Sequence, residues 1–65
     1  MAEKILYEKE REEIDVVIAD GFQIQSITDH LNGSDVLFTK DTLTKKLTLG
    51  NANARKYAST LLFHQ

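Results

Sequence analysis

The sequence predicts a mainly α-helical fold: one compact domain of three to four helices with room for a single short strand. Three observations predict it. The chain has no proline and three glycines, at 21, 33 and 50, which divide its 65 residues into pieces of helix length. Apolar residues recur at helical spacing in the first piece and again near the end. With no cysteine for a disulfide or a zinc cluster, stability must come from packed helices, a second chain, or both.

From about Glu3 to Ala19, Tyr7, Ile14, Val17 and Ile18 are spaced to share a helix face, while Glu8, Glu10, Glu12 and Glu13 can point to water. A rival reading is a hairpin turning at Asp20-Gly21, between Val16-Val17-Ile18 and Phe22-Gln23-Ile24. The helix formers before Val16 favour the helix. Gln23 to Leu31 predicts a second, short helix, with Ile24, Ile27 and Leu31 at i, i+3 and i+7 and Asn32-Gly33 as its C-cap. Val36-Leu37-Phe38-Thr39 is β-prone and too short for a helix, so a single short strand or an extended crossing is expected there. Thr39 or Lys40 would cap the next helix, with Asp41 in its first turn at the positive end of the dipole.

The stretch from Thr39 to Leu62 resembles a helix-turn-helix unit. Leu43 and Leu47 lie one turn apart, Leu49 would plug the turn, and Ala54 and Tyr57 would face inward from the second helix. Thr44 and Thr48 stand where such units commonly hold a small residue and a glycine. The order helix, helix, short strand, helix-turn-helix also resembles the start of a winged-helix domain, whose wing would be a hairpin after the second helix.

What the resemblance implies is DNA binding. The second helix would run from about Asn51 to Phe63 and present Asn51, Asn53, Arg55, Lys56, Ser59 and Thr60 outward. These side chains suit base edges and phosphates of the major groove. Lys40, Lys45 and Lys46 would add phosphate contacts. Asn51 can equally be a structural N-cap, and Arg55 and Lys56 a solvated face.

The charge distribution points the same way. Residues 1–35 carry three bases against nine acids, a balance of −6, while residues 36–65 carry five bases against Asp41 alone, a balance of +4. Such asymmetry suits a polyanion-binding half, or a dipolar domain whose acidic helix lies against its basic part. The apolar cluster Leu61-Leu62-Phe63 would pack on Ile5, Leu6 and Tyr7 of the same chain or of a second copy, which makes a homodimer the expected assembly.

Enzymatic chemistry finds little support. His30 and His64 are too few and too far apart for a metal site, no Gly-rich phosphate loop occurs, and no serine sits in a nucleophile elbow. No cofactor is expected. The first apolar run, Ile5-Leu6-Tyr7, is cut off by charge, and no segment approaches a membrane span, so a cytoplasmic protein is expected. The leading expectation is a small protein that binds double-stranded DNA, a transcriptional regulator or a phage or plasmid accessory factor; the alternative is a protein-interaction module, an adaptor, inhibitor or dimerisation domain, using the acidic first helix or the Leu61-Leu62-Phe63 patch.

Overall fold

A computed structural model describes the backbone from Ala2 to Gln65 and the side chains from Glu8 onward. The elements run α1 (Ala2–Ala19), β1 (Gln23–His30), β2 (Gly33–Lys40), β3 (Leu43–Leu49) and α2 (Ala52–His64). The strands form one antiparallel sheet in the order β1-β2-β3. One face of this sheet supplies Ile24, Val36, Phe38 and Leu49 to the core, and the helices supply Ile14, Val17, Ala54 and Ala58. The alanines of α2 allow its backbone to lie close to the strands. The other face carries Ser26, Thr28, Asp35, Leu37, Thr39, Thr44, Lys46 and Thr48, a mostly polar set that period-two alternation turns away from the core.

The expectation of a mainly α-helical domain is overturned: the fold is α+β. The predicted helix over Gln23 to Leu31 is β1, and its apparent helical spacing has a specific cause. Ile24 pairs with Phe38 and Ser26 with Leu37, so Gln25 is an extra residue in a bulge. The bulge resets the alternation, and Ile24 and Ile27 both face inward although they are three residues apart. Leu31, the supposed third member of the helix face, stands fully exposed at the hairpin tip. Asn32-Gly33 is part of that β1–β2 turn and caps no helix.

The first helix of the helix-turn-helix is not formed either. Thr39 and Lys40 end β2, Asp41 and Thr42 make a two-residue turn with Asp41 at φ 53°, and Leu43 to Leu49 is β3. Leu49 is buried as a strand residue and plugs no helical turn. The first and last predicted helices do correspond to α1 and α2, and the expected strand lies within β2. Asp20-Gly21 joins helix to strand, with Gly21 at φ 99°. The side chains of Ile5, Leu6 and Tyr7 lie outside the described residues.

Gly33 is the tightest point of the sheet. Its φ is 133°, and a Cβ there would lie 2.3 Å from the Leu49 carbonyl oxygen, a backbone atom that cannot swing away. Gly33→Ala is therefore expected to cost at least about 2 kcal/mol through strain and a forced separation of the strands. Equilibrium denaturant unfolding checks this, and a loss under about 0.5 kcal/mol, the usual range of a surface substitution, would contradict it.

Candidate functional site

The structure separates the nine side chains proposed for DNA. Asn51 is the N-cap of α2: its Oδ1 accepts from the N–H groups of Asn53 at 2.8 Å and Ala54 at 3.4 Å. The two amides before the helix, Gly50 at 2.8 Å and Asn51 at 3.1 Å, donate to the Glu10 carboxylate of α1. The end of α2 that would attract a phosphate thus already holds a carboxylate of its own chain. Arg55 forks onto Asp29 of β1, with Nε and Nη2 at 3.1 and 3.0 Å from the two carboxylate oxygens. Ser59 is half-buried.

Lys40 donates to the Asp20 carbonyl at 2.6 Å and lies over the Phe22 ring. Lys46 sits 3.9 Å from Asp35 on the open sheet face. Lys45 shares a groove with Glu12 and Glu13. Only Asn53, Lys56 and Thr60 come together, around a shallow recess of about 310 Å³ beside Tyr57. The acidic and basic halves of the sequence have largely met each other.

These pairings shift the titrating groups. Arg55, and then Ser34, hold the Asp29 carboxyl below its ordinary 3.8 by hydrogen bonding to the charged form, and Asp29 in turn raises Arg55. Asp35 is lowered first by the hydrogen bond from His30, whose Nε2 lies 3.0 Å away, and then by Thr48. His30 Nδ1 accepts from the Asn32 amide at 3.1 Å, which fixes the ring at the hairpin tip. Tyr57 is raised above its ordinary 10.0, chiefly because it donates to the Asp15 carboxylate.

The two edges of the sheet are unlike. Two-residue turns close the pairs His30–Gly33 and Lys40–Leu43, and from these pairs the hydrogen bonding alternates along each ladder. On β3 the N–H and C=O groups of 43, 45, 47 and 49 then point to β2, and those of Thr44, Lys46 and Thr48 point outward. On β1 the same alternation turns Ile24 outward. There the Gln65 side-chain amide takes both groups, accepting from Ile24 N–H at 2.9 Å and donating to the Ile24 carbonyl. The chain thus caps that point of the β1 edge with the residue that follows α2.

Among the described residues, none bonds to the outward groups of β3. The edge is flanked by an open groove of about 360 Å³ between α1 and β3, lined by Lys9, Glu12, Glu13, Val16, Val17, Lys45 and Leu47. Val16 is 65% exposed and Leu43, at the head of β3, 59%. Sequence reasoning missed this edge because it placed Leu43 and Leu47 on a helix. The signal was the alternation Leu43, Lys45, Leu47, Leu49 against Thr44, Lys46, Thr48.

Comparison with known proteins finds no matching family model, no matching curated protein and no matching solved structure. Among the described residues no group of three His, Cys, Asp or Glu could hold a metal ion, and no helix is long and apolar enough to cross a membrane.

A depressed carboxyl stabilises the fold above its unfolded pKa, and that contribution is lost as pH falls through the folded one. Asp29 and Asp35 both have lowered values, so thermal stability is expected to hold through neutral pH and to decline below about pH 4. Arg55→Ala should move Asp29 back toward its ordinary value. Carbon-detected NMR titration of the Asp29 carboxyl reads the change directly, and an unmoved midpoint would contradict the assignment.

Proposed function

We propose that this chain is a protein-interaction module that takes a partner strand along β3. The observation that carries this reading is the outward row of Thr44, Lys46 and Thr48 backbone groups beside the Val16 and Leu47 groove. Main-chain hydrogen bonds would give such a complex its affinity, and side chains entering the groove its selectivity. Self-neutralisation supports the same reading. Arg55 and Lys46 face carboxylates of the same chain, and the net charge is −2.

Binding of double-stranded DNA by α2, with no helix-turn-helix, is the second reading. It is favoured by one observation, the shared outward face of Asn53, Lys56 and Thr60. Asparagine and lysine at that spacing suit base edges and phosphate. Against it, the neighbouring cation Arg11, over the Tyr57 ring, is shared with Asp15, and Arg55 is held by Asp29, while phosphate contacts supply most of the affinity of such complexes.

Lys46→Pro separates the readings. The Lys46 N–H points outward, so proline there removes a donor from the free edge and none from the β2 ladder, and the exposed pair with Asp35 is weak. The wild-type chain purified from its producing cells is expected to retain a protein in fixed stoichiometry. The Lys46→Pro chain should lose it while keeping its circular dichroism and melting curve. Salt-dependent binding to a random duplex, abolished by Lys56→Ala and untouched by Lys46→Pro, would decide for the second reading.

A further inference from the structure

We infer that the strand β3 receives is β3 of a second copy of this chain, in a two-fold antiparallel pair centred on Leu47. The inference rests on the reading of β3 as a docking edge and names its occupant. Three features converge on it.

The first is register. Only Thr44, Lys46 and Thr48 offer outward backbone groups, so a symmetric antiparallel pair has few choices. Centring on Lys46 sets two ammonium groups directly opposite each other, which is unfavourable. Centring on Leu47 sets Lys46 opposite the partner copy's Thr48, and Leu47 opposite Leu47 in a close, non-hydrogen-bonded pair. The groove side of that pair is already apolar, with Val16 beside Leu47 in each copy. The seam would then run Val16, Leu47, Leu47, Val16, and would cover the exposed Val16 side chain.

The second feature is charge. Helix α1 runs antiparallel to β3: Glu10 reaches Gly50 at the far end of β3, while Asp20 reaches Lys40 at the near end. Glu12 and Glu13 therefore flank the C-terminal half of the strand. The Leu47-centred register brings Lys45 of the second copy to the level of Leu49, beside those two carboxylates, and symmetry repeats the contact. Each copy offers two ammonium groups, Lys9 and Lys45, and two carboxylates, Glu12 and Glu13, on this rim, so a two-fold pairing can set opposite charges against each other.

The third feature is the contrast between edges. At Ile24, β1 has its outward groups taken by the chain's own Gln65, while the outward groups of β3 meet nothing among the described residues. An interface of one strand and one helix flank falls at the small end of specific interfaces, below about 1,200 Å², so a reversible dimer in the micromolar to millimolar range is expected.

Sedimentation equilibrium across that concentration range tests the inference. The wild-type chain should show a monomer–dimer equilibrium, and Lys46→Pro should weaken it at least about tenfold with the fold intact. Charge exchange gives a second, independent readout. Lys45→Glu alone and the double variant Glu12→Lys, Glu13→Lys alone should each dimerise more weakly than wild type. Their equimolar mixture should associate more tightly than either, because both rim contacts are then attractive. Leu47→Cys should form an intermolecular disulfide on oxidation, since the two side chains meet at the axis.

A wild-type chain that stays monomeric at about 1 mM, or a dimer indifferent to Lys46→Pro, or a mixture no tighter than its components, would overturn the inference. The two proposals fail separately. A monomeric chain that still loses a different protein on Lys46→Pro keeps the docking edge and removes the second copy as its occupant. A dimer unaffected by Lys46→Pro, with no other protein lost from that variant, removes the edge itself.

Discussion

The middle strand β2 is the constraint on which the rest of the molecule depends. Among the described residues it is the one strand paired on both sides, and its alternate residues Ser34, Val36 and Phe38 are all buried. Phe38 and Val36 are wholly inaccessible, and Ile24, Leu49, Ile14 and Ala54 belong to the same core. Truncating a buried phenylalanine costs about 3–5 kcal/mol, a large share of the 5–15 kcal/mol that holds a typical domain together. The buried apolar side chains among the described residues all belong to this one cluster. The single polar member, Ser34, is satisfied by donating to Asp29 at 2.6 Å, and Asp29 in turn receives Arg55 of α2. Burial of β2 and the docking of α2 over the hairpin are therefore linked through one carboxylate.

The legible parts of the fold are those where a single periodicity has no competitor. Helix α1 keeps Ile14 and Val17 on one face among charged residues, and α2 keeps Ala54 and Ala58 a turn apart behind an asparagine cap. The strands were hidden for physical reasons. In β1 the bulge at Gln25 turns a period of two into a spacing of three, which imitates a helix. In β3, Leu43 and Leu47 satisfy both periods, and only the β-branched threonines between them argue for a strand. Of the candidate site, the capping role of Asn51 and the outward face of Asn53, Lys56 and Thr60 could be read from α2. The bond from Glu10 to the start of α2 spans forty residues in sequence, and no local pattern announces it.

Charge segregation along the chain serves the fold before it serves any ligand. Had the basic half faced solvent alone, it would have carried four net positive charges on thirty residues. Instead Asp29 holds Arg55, Asp35 holds Lys46, and the Asp20 carbonyl holds Lys40. Exposed pairs of this kind add little stability one by one. Their larger effect is on the field around the protein: Arg55 and Lys46, already committed to neighbouring carboxylates, cannot draw in a polyphosphate with full strength. The same arrangement leaves alternating charge along the α1–β3 rim, which favours a partner that presents both signs.

An open strand edge invites indiscriminate pairing unless something limits it, and lysines are a common limit. The two lysines of β3 act on opposite faces of the sheet. Lys46 leans toward Asp35 on the open face, and its charge forbids a register that sets it against another lysine. Lys45 stands on the rim of the groove beside Glu12 and Glu13, where an incoming strand without complementary charge would bury an ammonium group at a loss. At Ile24 the opposite edge needs no such filter, because the Gln65 amide supplies both missing hydrogen bonds. One edge is thus closed at that point by the chain itself, and the other is left open but selective by charge. An association of the kind proposed at β3 would have to satisfy both lysines at once.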